Sequence, residues 1–95
     1  MTSYAVIRER GERWDPSCSM REQERWDEHA AFMDGLVADG FVVLGGPLGD
    51  GGKILLIVDA EDEHEIAARL AQDPWTPMAL LRIATIERWE ILLRP

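Results

Sequence analysis

Only one cysteine, Cys18, occurs in the 95 residues, so the chain can close no internal disulfide and has no second thiol for a metal site. Flanked by Ser17 and Ser19, with no histidine close in sequence, Cys18 reads as a spare loop thiol. Long apolar runs are also missing: none approaches the roughly 18 residues needed to cross a bilayer. Met1 to Arg10 meets charge straight after four apolar positions and lacks a small-residue cleavage pattern, so it does not read as a signal peptide. A cytoplasmic protein is expected. Basic residues are scarce, ten against eighteen acidic ones, for a formal charge of -8. The excess is even, with five basic and nine acidic side chains in each of residues 1–47 and 48–95. With no basic stripe, neither nucleic acid nor an anionic membrane is an expected partner. Two histidines, His29 and His64, make a poor metal ligand set. The glycine-rich run Gly45–Gly52 has no GK[ST] element and leads into a strand, unlike a phosphate-binding loop. Neither metal nor cofactor is expected.

What is present is an ordinary globular composition, 46% apolar and 29% charged, in a length that suits one domain, 1–95. The organising stretch is Arg21–Gly40. At about 100° per residue, Trp26, His29, Ala30, Met33, Leu36, Val37 and Gly40 fall on one helical stripe with Phe32 at its margin. Arg25, Glu28, Asp34 and Asp39 lie off it. His29 therefore points where the core points. Ser19 with Glu22 three residues later fits a capping box for this helix, and Gly40 supplies its stop.

Around the helix, Ser3–Glu9 reads as a strand and Gly11–Met20 as a loop in which Trp14 must find a place to bury its ring. Phe41–Leu44 and Lys53–Val58 are short apolar strands joined through the Asp50-Gly51 turn signal. Asp59–Gln72 is a second helix with an acidic start, broken by Asp73-Pro74. Pro74–Leu81 has room for one helical turn. Arg82–Glu87 alternates as a strand that Arg88–Leu93 continues. The order β-α-β-β-α-β predicts a ferredoxin-like α+β fold with a four-stranded antiparallel sheet and both helices on one face. The middle strands are apolar at consecutive positions, so the second sheet face is apolar too. A second copy of the chain, sheet against sheet, is the simplest cover, and a homodimer is expected.

Two carboxylates could partner His29. Asp34 lies about 140° around the helix from it and points away. Asp73, at the end of the second helix, can approach without strain. An imidazole held by a carboxylate is an acid/base unit whose tautomer is fixed and whose imidazolium is stabilised. Trp14, Trp26, Phe32, Met33 and Trp75 are candidate walls of a mostly apolar cavity, with Gly46-Pro47 shaping one side. A structural reading competes at each point. A histidine on an apolar stripe is commonly hydrogen-bonded to a carbonyl, Asp73-Pro74 is also what an N-cap with a first-turn proline looks like, and tryptophans fill cores.

The run from His29 through Gly40 to Gly46-Pro47, then Asp73-Pro74-Trp75 and the closing Glu87-Arg88-Trp89-Glu90, resembles the YciI-like (YCII-related domain) family, and the likeness includes Tyr4 in the first strand. The resemblance implies a dimeric α+β barrel akin to muconolactone isomerase, with a site in which His29 and Asp73 pair. One branch of that family resembles lactone dehalogenases. Where its members often carry phenylalanine or tyrosine after Asp-Pro, this chain has Trp75. The expected function is a cofactor-free lyase or isomerase acting on a small, partly apolar molecule, with His29 and Asp73 catalytic and Tyr4, Trp14, Met33, Gly46, Pro47 and Trp75 around the ligand. The competing expectation is a non-catalytic homodimeric module that binds a small molecule or a protein. A cofactor-free monooxygenase, as on related barrels, is neither required nor excluded.

Overall fold

The computed structural model describes every residue from Met1 to Pro95. In chain order it holds β1 (Thr2–Arg10), a 3-10 turn (Met20–Glu22), α1 (Trp26–Ala38), β2 (Val42–Leu48), β3 (Lys53–Ala60), α2 (Glu63–Leu70) and β4 (Leu81–Arg88). The sheet runs β2-β3-β1-β4 with every neighbouring pair antiparallel. This is the ferredoxin-like α+β arrangement. Two-residue alternation along β1 buries Tyr4, Val6 and Arg8 on one face. Ile54, Leu56, Val58 and Ala60 of β3 lie on that same side and form one hydrophobic cluster with Leu36 of α1 and Ile66 and Leu70 of α2. Both helices therefore cover the same face. No helix is long and apolar enough to cross a membrane.

Four element boundaries differ from expectation, each for a local reason. The central helix begins at Trp26, not Arg21. Ser19 N–H does donate to Glu22 Oε1, at 2.8 Å, but the box closes only the short turn Met20–Glu22. Gln23 then turns inward, its Nε2 donating to the carbonyls of Asp15 and Cys18 while its Oε1 accepts from Asp15 N–H. The chain re-enters helical geometry through Arg25 at φ +61°. Strand β2 runs on through Gly45-Gly46-Pro47, where a loop was expected. It is an edge strand, so Pro47 interrupts no inner ladder. A Cβ at Gly45 would meet Leu56 Cδ2 at 2.7 Å, so the Leu56 side chain would have to shift. The second helix is trimmed at both ends: Asp59 belongs to β3, Asp62 caps Glu65 N–H, and the helix stops at Leu70. Finally, β4 ends at Arg88, and beyond it Trp89 N–H donates to Ser3 O without extending a strand.

The other sheet face carries Ala5, Leu55 and Ile57, which line one shallow depression with Trp89. Leu44, opposite Ile57 in the ladder, is 68% exposed. Val43 and Leu48 of the same edge strand are also exposed. The doubly apolar reading of the strands thus holds, and the helices leave this face open.

Two glycines should respond oppositely to alanine. A Cβ on Gly11 would lie 2.1 Å from the backbone oxygen of Ala79, and backbone cannot move aside cheaply. Gly11→Ala is expected to cost about 1–3 kcal/mol. Gly35 has open space and sits within α1, so Gly35→Ala should add about 0.5–1 kcal/mol. Thermal unfolding of the two variants checks both signs.

Candidate active site

Three elements converge on one buried carboxylate. Arg8 comes from β1, His29 from α1, and Asp73 from the turn that follows α2. That turn is tightly tied. Asp73 N–H donates to Leu70 O, Thr76 N–H donates to Asp73 O, and the Thr76 hydroxyl donates to Leu70 O at 2.7 Å, capping the helix end. Asp73 Oδ1 also accepts from the Trp75 amide at 2.9 Å. Asp73 therefore does cap its own turn, as the structural reading of Asp73-Pro74 supposes. Its carboxylate faces two further groups: Arg8 Nη1 donates to Oδ2 at 2.9 Å, and His29 Nδ1 lies 2.8 Å from Oδ2 and 3.0 Å from Oδ1. All three side chains are buried, Asp73 completely.

The network assigns the imidazole proton. Burial alone would raise the Asp73 carboxyl, but hydrogen bonds from His29, the Trp75 amide and Arg8, together with the charge of His29, outweigh it and hold the carboxyl below its ordinary value. An ionised carboxylate only accepts, so Nδ1 of His29 carries the hydrogen. In the neutral imidazole Nε2 is then an acceptor. It has no protein partner and is not sealed from solvent, and His29 lines a cavity.

Aromatic rings fix the imidazole plane. Trp75 stacks on His29 with centroids 3.8 Å apart and planes 3° from parallel. Trp26 tilts against both rings, and Trp14 meets Trp75 edge-on at 5.9 Å. Trp75 is wholly buried, and its Nε1 donates to Glu24 O at 2.7 Å, joining the turn after α2 to the segment that leads into α1.

The cavity beside His29, about 260 Å³, lies between α1 and the β2–β3 edge of the sheet. Met33, Gly46 and Pro47 line it, as does Trp26, whereas Phe32 only packs against the core. Trp14 and Trp75 do not reach it. Trp75 stands behind His29 and orients it, and Trp14 packs edge-on against Trp75. Tyr4 is elsewhere, next to a shallow depression with Asp62, Glu63, His64 and Arg88, because it sits two β-alternations down the strand from Arg8. Tyr4, expected around the ligand, thus does not line this cavity. Asp34 makes no contact with His29, in keeping with its helical angle, yet it stands on the cavity rim. A second cavity of about 320 Å³ lies on the α2–β4 side of Arg8 and contains no imidazole.

Arg8 is the site residue that reading the sequence missed. It looked like the polar end of a strand, although the alternation Tyr4, Val6, Arg8 puts it on the buried face. Its Nη2 donates to the Thr76 hydroxyl at 3.2 Å, while Nε has no partner.

No protein-family model and no curated protein matches the chain. Among solved structures it is similar to 5-chloro-2-hydroxyhydroquinone dehydrochlorinase (TftG) from Burkholderia phenoliruptrix AC1100, determined in complex with 2,5-dihydroxybenzoquinone. The TM-score is 0.67 at 26% identity, over 92% of this chain and 93% of that one.

A carboxyl held lower in the folded than in the unfolded chain contributes stability above its unfolded value, near 3.8, and loses it as pH falls through the native value. Acid unfolding in the window below about pH 4 should therefore lose one component in Asp73→Asn. At neutral pH, Arg8→Leu is expected to cost about 3–5 kcal/mol by leaving a buried carboxylate without its cation. Adding Asp73→Asn to that variant should recover part of the loss. Urea unfolding of the three variants across pH checks each point.

Proposed function

We propose that this chain is a cofactor-free enzyme of the lyase or isomerase type, allied to the YciI-like proteins, in which His29 moves a proton at carbon in a small, partly apolar molecule. The observation that carries the reading is a histidine clamped by a fully buried carboxylate on Nδ1 while its ring borders an apolar cavity. Nε2 takes the substrate proton. The electron pair of the broken C–H bond forms a double bond, and Asp73 stabilises the resulting imidazolium. In an isomerisation the proton returns at another atom. In an elimination it leaves with the departing anion. The similarity to a dehydrochlorinase supports the second form. Met33, Gly46 and Pro47 shape the cavity in this reading, and Trp14 and Trp75 hold the imidazole in plane.

The alternative is a non-catalytic homodimeric module for small molecules or protein. It draws on the second role of Asp73 as the cap of its own turn. Incubation with 5-chloro-2-hydroxyhydroquinone, followed by chloride release, separates the two. His29→Ala should lower the rate about 10²–10⁴-fold while the fold persists. Equal rates in the two proteins would overturn the assignment of His29, and no release from either would favour the module.

The same reading takes a second copy of this chain as the cover of the open sheet face. Half-buried Ala5 and Leu55 with the exposed Leu44 and Trp89, beside Glu87 and Arg88, form a surface that the helices of one chain do not cover. Sedimentation is expected to give twice the mass of one chain, and Leu44→Glu to shift the equilibrium toward one. A wild-type monomer at micromolar concentration would refute it.

A further inference from the structure

We infer that Asp34 selects for charge at this cavity: its ligand is an uncharged molecule that carries hydroxyl groups, and a carboxylate is turned away. The inference takes the cavity beside His29 as the substrate site but does not depend on turnover there.

Of the residues around the cavity only His29 and Asp34 are ionisable. The other walls are apolar side chains, glycine and proline, with the Trp26 indole as the one side-chain donor. No lysine or arginine lines the space. Arg8 is 1% exposed and gives Nη1 to Asp73 and Nη2 to Thr76. Arg21 lies over the Trp26 ring at 5.8 Å without lining the cavity, and Arg25 is paired with Glu28. Asp34 enters none of the ion pairs of the chain.

Two consequences follow from donor and acceptor counting. With Nδ1 protonated and the ring neutral, the two ionisable side chains offered to a ligand both accept hydrogen bonds, Nε2 of His29 and the Asp34 carboxylate, and the Trp26 indole alone donates. The ligand must supply the hydrogens, which hydroxyl groups do. A ligand carboxylate brings no hydrogen, and in a space of about 260 Å³ it meets Asp34 with no lysine or arginine at hand. The formal charge of -8 on the whole chain acts in the same direction.

Protocatechuate and its N,N-dimethylamide test this, since they share ring and hydroxyls and the amide removes the charge without adding an N–H donor. Binding is followed by tryptophan fluorescence and by the NMR shifts of the His29 ring protons. The amide is expected to bind about tenfold more tightly than the acid at low salt. The gap should shrink several-fold in about 0.5 M salt, because Asp34 is exposed and screened. It should shrink likewise in Asp34→Asn. Equal affinities, a gap unmoved in Asp34→Asn, or no perturbation of His29 by either compound would each overturn the inference. Charge selection without turnover in any assay would sink the enzymatic reading alone.

Discussion

A carboxylate removed completely from water is costly unless every lone pair is answered, and the site of this protein is built around answering those of Asp73. Three donors do so: Arg8 from the first strand, His29 from the first helix, and the Trp75 amide from the segment after the second helix. Each donor belongs to a different part of the fold. The carboxylate is thus a point at which sheet, helix and turn must agree in position, and its ionisation in turn decides which nitrogen of His29 faces the cavity.

The aromatic residues make that agreement rigid. Trp75 leaves Asp73 by two residues, stacks on the imidazole and reaches Glu24 O with its indole N–H. A ring of that size buries about 150–250 Å² of surface, so the apolar term that holds the turn down also sets the plane of the imidazole. Trp14 closes the stack from the long loop after β1, and Gln23 pins that loop by hydrogen bonds to its carbonyls. Packing and chemistry at this site share the same side chains.

The two faces of the sheet play unequal parts. One supports the helices and positions Arg8; the other carries Ala5, Leu55 and the exposed Leu44, which the helices leave uncovered. The cavity lies at the edge where β2 passes under α1, and its outline depends on Gly45, which leaves room for Leu56. Apolar walls with two acceptors and no lysine or arginine make a chemically selective space.

Periodicity along the chain was enough to order the strands and helices, to make both sheet faces apolar and to turn His29 toward the interior. Those properties depend on neighbours three, four or two residues away, which sequence displays directly. Asp73 was reachable as a candidate by its place after the second helix and by the family resemblance. Arg8 was not, although alternation with Tyr4 and Val6 held the clue, because burying a guanidinium makes sense only once its counter-ion is known. That counter-ion lies 65 residues away. The late start of α1 at Trp26 depended on where Gln23 found carbonyls, and the position of Tyr4 away from the cavity depended on how far along β1 the second helix ends. Local pattern settles which residues are inside. Only closure of the chain decides which buried charge meets which, because that energy exists between residues distant in sequence.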